Sequence, residues 1–138
     1  MPDIAAQKSR PQYRNIHVTQ IWRYKLPPPG IVSILNRISG SILFLFGIPF
    51  VLYLFQQSLT SEISFQSYKA IVGSVGGKLV LLVLIWAYTH HSVAGIRYLL
   101  LDRHIGIQRW AANKSAYAVL AITAAITFVA ALKLFGAF

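Results

Sequence analysis

Three stretches of the chain carry no charged residue: between Arg37 and Glu62, between Lys78 and Arg97, and between Lys114 and Lys133. Each is close to the ~20 residues that a helix needs to cross the hydrocarbon core of a bilayer. The fold class this predicts is all-α integral membrane, with three transmembrane helices at about 32–54, 76–101 and 115–135. An interfacial N-terminal segment, 1–31, then precedes a three-helix transmembrane domain, 32–138.

Composition agrees with that reading. Of 138 residues, 56% are apolar and only 12% charged, about half the usual charged share. Such a chain cannot cover a globular surface with polar groups, so lipid is the solvent for much of it. The formal charge of +10 raises nucleic acid as a partner. A phosphate-gripping protein carries a dense stripe of Lys and Arg. Here the cations are dispersed and stop where the apolar runs begin, so no nucleic-acid partner is expected. There is no cysteine, which excludes disulfides, zinc–thiolate sites and iron–sulfur clusters held by this chain's own thiolates. The N-terminus is polar and lacks the early apolar core of a cleaved secretory signal.

Orientation follows from the cations. Lys8, Arg10, Arg14, Arg23, Lys25 and Arg37 precede or open the first span, and Arg97, Arg103, Arg109 and Lys114 lie around the second loop. The first loop, "QQSLTSEISFQSY", holds Glu62 and no cation before Lys69. The positive-inside rule then puts the N-terminus and second loop in the cytoplasm and the C-terminus opposite. Within the first span, Gly40, Gly47 and Pro49 suit close helix packing, as does the alanine-rich "AVLAITAAITFVAAL" of the third. In "IWRYKLPPPG", 21–30, the aromatic rings and cations suit a headgroup layer. Pro27, Pro28 and Pro29 with Gly30 are expected to separate this interfacial linker from the first span. A docking surface for a soluble partner is the second reading.

The exceptional residues are in "YTHHSVAGIRYLLLD", 88–102. Ionisable groups inside a membrane are costly and face a cofactor, a cavity or another helix. If the helix ends near Leu101, His91 lies about 15 Å inward at helical rise, too deep for easy snorkelling. An imidazole there hydrogen-bonds across a bundle, relays protons or ligates a metal, haem iron included. Gly95 shares the face of His91, and Ala94 and Ser92 are also small, which leaves clearance for a flat macrocycle. His90 points about 100° away, and spacing ranks His91 only modestly above it. Adjacent residues of one helix cannot supply both axial ligands to one iron. His17 and His104 lie in polar segments, so a bis-histidine haem needs its second ligand from another chain.

A second constellation is "SILNRISG", 33–40. Ser33 and Arg37 share a helical face beside an apolar span, where a hydroxyl and a guanidinium can hydrogen-bond a quinone oxygen. From spacing alone, Arg37 as an interfacial anchor with Ser33 as an N-cap is the favoured reading, since anchors of this kind are common.

The ordered pair "SILNRISG" then "HSVAGIRYLLLD", with "RPQY" at 10–13 ahead of them, resembles the cytochrome b subunit of succinate dehydrogenase, the larger membrane anchor of complex II. The resemblance covers nearly the whole chain. It implies that His91 is the axial ligand of haem b, with Gly95, Arg97 and Asn36 in the haem surroundings and Asp102 completing the second motif. It likewise implies that Ser33 and Arg37 bind quinone, either ubiquinone or menaquinone. Asn36 stands where the family commonly has a histidine. Tyr98 stands where a second one commonly follows the motif arginine, so that histidine's role is not carried onto it.

The implied function is that of a membrane-anchor subunit of a succinate:quinone oxidoreductase, without activity as a single chain. It would accept electrons from an iron–sulfur subunit fed by a flavoprotein subunit, and share the haem-binding bundle with a second anchor. The implied location is the bacterial cytoplasmic membrane rather than the mitochondrial inner membrane. Three other readings stand beside it: an anchor of a menaquinol-linked fumarate reductase, a haem-free proton or ion path through His90, His91 and Arg97, and a purely structural assembly subunit.

Overall fold

The computed structural model describes Thr19 and residues 25–136. "RPQY", His17, Trp22, Arg23 and Tyr24, with the cations Lys8, Arg10 and Arg14, lie outside the described residues. The described chain is helical throughout and has no strand among the described residues. Its elements are α1 (Pro28–Ile42), a π-helical turn (Leu43–Gly47), α2 (Ile48–Thr60), α3 (Glu62–Gly73), α4 (Val75–Asp102) and α5 (Arg109–Leu134). Three segments are long and apolar enough to cross a membrane: Pro28–Thr60, Val75–Asp102 and Arg109–Leu134.

The first span starts earlier than its apolar run. Pro28 and Pro29 form the first turn of α1, where an amide N–H has no helical acceptor to lose. Only Pro27 is extended, with ψ 153°, and it is the N-cap. The proline run therefore opens the helix instead of standing apart from it. Ser33 is well inside α1, so it is not the N-cap.

Pro49 shapes the middle of this span. It has no N–H for the Leu45 carbonyl, and its ring crowds the preceding turn. The chain widens there: the Ile48 N–H reaches back to Leu43 O, five residues away. Gly47, at the end of the widened turn, is buried, and a Cβ on it would come 3.3 Å from Leu84 Cδ2 of α4.

The first loop contains a helix that its polar composition does not announce. Ser61 and Ser64 form a reciprocal capping box, Ser61 N–H donating to Ser64 Oγ at 2.9 Å and Ser64 N–H to Ser61 Oγ at 3.2 Å. α3 turns Phe65, Tyr68, Ile71 and Val72 inward and leaves Glu62, Gln66, Ser67 and Lys69 exposed. The Phe65 and Tyr68 rings stack at 5.8 Å, and α3 packs on α2 and α4. At the turn into α4, Ser74 Oγ donates to Ile71 O at 2.7 Å and accepts the Gly77 N–H at 3.0 Å. This turn is so tight that a Cβ on Gly77 would overlap the Ile71 carbonyl.

α4 lies between α1 and α5. Val32, Ala94, Ala116 and Val119 form the buried core, with Val93, Tyr98 and Leu120 against it. Small residues at α4 and α5 bring the backbones together. Phe44, Leu45, Phe46, Phe55, Leu99 and Phe128 stay exposed, as side chains in hydrocarbon do. α4 ends in a Schellman motif: His104 N–H bonds Leu101 O at 2.8 Å and Ile105 N–H bonds Leu100 O at 3.0 Å. His104 takes the left-handed position, φ 60°, and is exposed.

The α3–α4 turn yields a paired test. Gly77→Ala should cost about 2 kcal/mol or more, because the Ile71 carbonyl cannot move aside. Gly76→Ala meets open space and should be neutral or slightly stabilising. Thermal unfolding of the two detergent-solubilised variants reads the difference.

Candidate functional site

The adjacent histidines of α4 have opposite surroundings. His90 is fully buried, its ring 5.8 Å from that of Trp86 and inclined by 24°. The Val32 backbone lies beside it, but neither ring nitrogen makes a hydrogen bond of proper geometry. His91 is exposed on the α1 side, as expected from a rotation of about 100° per residue.

His91 Nδ1 lies 3.1 Å from Asn36 O and 3.5 Å from Ser39 Oγ, both on α1. A main-chain carbonyl carries no hydrogen, so the bond at 3.1 Å requires the proton to be on Nδ1. In the neutral ring, Nε2 then keeps its lone pair and can act as a ligand or acceptor. The ring rests on Gly40: a Cβ there would come 2.9 Å from His91 Cε1 and 3.3 Å from Nδ1. Any larger residue would displace the imidazole.

His91 lines an open groove of about 600 Å³ with Asn36, Arg37, Gly40, Ser41, Phe44 and Leu45. Gly95, one turn along the same face of α4, has nothing within 4 Å of a built Cβ. Arg37 is exposed at this groove, and its guanidinium has no bonding partner among the described residues. Ser33 is half-buried one turn earlier on α1. Asn36 offers its main-chain carbonyl to His91, while its side-chain Oδ1 is buried without a donor.

Arg97 turns elsewhere. It is buried, donating from Nε to Ser115 Oγ at 2.9 Å and from Nη2 to Ala112 O at 3.3 Å. Ser115 Oγ itself donates to Ala112 O at 3.1 Å. Arg97 thus clamps α4 to the start of α5 and does not line the His91 groove. Asp102 is exposed. Among the described residues, no group of three or more His, Cys, Asp or Glu can hold a bare metal ion. The structure therefore brings His91, Asn36 and Arg37 together, sets Gly95 on the open face beside them, and separates Arg97 from them.

Ser39 is a site residue to which sequence reasoning gave no role. It is fully buried, and its hydroxyl donates to Asn36 O at 3.0 Å. It stood in view within "SILNRISG", but only the partner helix shows that its neighbouring carbonyl also holds a histidine.

Residues 7–130 match the family model described as succinate dehydrogenase/fumarate reductase transmembrane subunit. The chain is 34% identical over 98 residues to a succinate dehydrogenase cytochrome b556 subunit of Paracoccus denitrificans, covering 71% of this chain and 75% of the relative. It is 36% identical over 81 residues to the subunit of the same description in Coxiella burnetii (strain RSA 493 / Nine Mile phase I), covering 58% of this chain and 64% of that one.

The Arg97 clamp should be measurable by itself. Arg97→Leu removes both bonds to α5 and should lower stability by about 1–2 kcal/mol, near the upper end for polar contacts between membrane helices. A lower melting temperature of the purified protein, partly restored in Arg97→Lys, is the expected result.

Proposed function

The chain belongs to the succinate dehydrogenase/fumarate reductase transmembrane subunit family, and from that membership we propose that it is the haem-binding membrane anchor of a succinate:quinone oxidoreductase. One observation carries the haem part of this reading. His91 is tied down through Nδ1 while its Nε2 has no partner among the described residues, on the wall of an open groove. Metal-bound histidines ordinarily have their second nitrogen hydrogen-bonded in this way.

In this reading His91 Nε2 would hold the iron of haem b. Gly40 leaves room for the His91 ring itself, and Gly95 leaves open space one turn along the same face of α4. His90 is buried in the core and His104 lies in the loop after α4, so among the described residues neither stands beside His91 at the groove, and a second anchor subunit would supply any further ligand. When bound, haem b would supply a one-electron store. Asn36 borders it through the groove, whereas Arg97 contributes indirectly by fixing α4 against α5.

Arg37 and Ser33 serve the quinone. A guanidinium with no partner among the described residues is available to stabilise negative charge growing on a quinone oxygen, and the Ser33 hydroxyl would donate a hydrogen bond to a quinone oxygen. Electrons reach the pocket from an iron–sulfur subunit, supplied in turn by a flavoprotein that oxidises succinate. This chain contributes no turnover alone. The relatives from Paracoccus denitrificans and Coxiella burnetii are both described as succinate dehydrogenase subunits, which favours succinate oxidation over fumarate reduction. It also favours a bacterial cytoplasmic membrane, with the cationic second loop inside. Arg97 is occupied by α5, so His90, His91 and Arg97 do not line one path for ions.

Two variants test the haem ligand in the purified complex. His91→Ala should abolish the b-type haem absorption, and His90→Phe, which keeps a ring beside Trp86, should retain it. Loss of haem in both, or in neither, would contradict the assignment. Arg37→Leu should slow quinone reduction by about tenfold or more, as expected for a lost charge-stabilising donor. Succinate oxidation with an artificial dye should persist, whereas equal loss of both activities would mean that assembly had failed.

A further inference from the structure

We infer that Ser39 is a positioning residue for the His91 imidazole, acting through the Asn36 carbonyl that both side chains share. The inference rests on the haem reading given under Proposed function, and extends it to a residue that does not touch the cofactor. Three distances define the arrangement. Ser39 Oγ donates to Asn36 O at 3.0 Å, His91 Nδ1 donates to the same oxygen at 3.1 Å, and Ser39 Oγ lies 3.5 Å from Nδ1.

A buried serine in a helix commonly donates to a carbonyl three or four residues back, and that alone requires no function. Here the carbonyl is the one that fixes the imidazole, and the hydroxyl is within reach of the ring nitrogen itself. Asn36 O also occupies the position where an α-helix receives the N–H four residues on, which is that of Gly40. A carbonyl oxygen has two lone pairs, so three donors compete for it. Each bond is weaker than it would be alone.

The competition has a chemical consequence at the other nitrogen. A stronger hydrogen bond from Nδ1–H makes the imidazole a more basic ligand. A more basic axial ligand stabilises oxidised iron over reduced iron, and ligand hydrogen bonding is one of the protein's means of setting haem potential. Ser39 weakens the Nδ1 bond by sharing its acceptor, and so holds the potential up. Its burial keeps water from taking its place. Gly40 completes the seat by leaving space for the ring.

The test is a redox titration of the haem in the intact, purified complex, with haem content measured per complex. Ser39→Ala should retain full haem. At the wild-type midpoint potential, its ratio of oxidised to reduced haem should rise from one by about three- to tenfold, a tenfold change corresponding to about 59 mV for one electron. Ser39→Thr keeps the hydroxyl and should keep the wild-type ratio. An alanine variant with full haem and an unchanged ratio would overturn the inference, as would a threonine variant shifted as far as alanine. If the alanine variant fails to accumulate, the threonine variant decides: the wild-type ratio supports the role, and a shifted one overturns it. The haem reading fails separately, by persistence of the haem spectrum in His91→Ala.

Discussion

Hydrocarbon offers no water to a polar group, so every such group within the spans needs a partner in the protein or a place in a site. For His91 that partner is the main-chain carbonyl of Asn36, an acceptor that no side-chain substitution removes. The bond joins α4 to α1, chooses the tautomer and leaves Nε2 facing the groove. It also requires the helices to be close, and Gly40 permits that. The approach recurs seven residues along both helices, where Gly47 meets Leu84 in the antiparallel sense. The π-helical turn before Pro49 ends at this second contact, so the irregularity of the first span lies where it touches α4.

The other side of α4 meets the same constraint differently. Arg97 gives its donors to a hydroxyl and a carbonyl of α5 and needs no carboxylate. His90 is the exception: it is buried against Trp86, and neither ring nitrogen is hydrogen-bonded among the described residues. Three neighbouring ionisable residues thus have separate tasks because helical rotation sends each to a different neighbour. His91 is directed to the groove, Arg97 to α5 and His90 to the interior. Only the first leaves an unoccupied nitrogen on an open face.

Much of this was legible in the amino-acid sequence. The charge-free runs located the spans because a membrane helix is defined by what it excludes, and the small residues pointed to the packed faces. The starts and irregularities were less legible. The three prolines looked like a break, yet Pro28 and Pro29 lie where a helix tolerates them. The first loop hid α3 because serines and glutamines masked the inward spacing of Phe65, Tyr68 and Val72. At the site, motif spacing favoured His91 over His90 without a physical reason strong enough to separate them. The structure separates their surroundings, with His90 buried and His91 on the groove. The partners of Arg97 and the role of Ser39 were out of reach, because both depend on which helix stands opposite.

The decisive measurement is a structure of the assembled complex in lipid, read at the groove between Asn36, Arg37 and His91. A macrocycle should lie there, its iron on His91 Nε2, with Nδ1 still bonded to Asn36 O and a second ligand from another subunit. A groove filled by lipid or by a partner helix, or an iron bound through any other atom of this chain, would contradict this assignment.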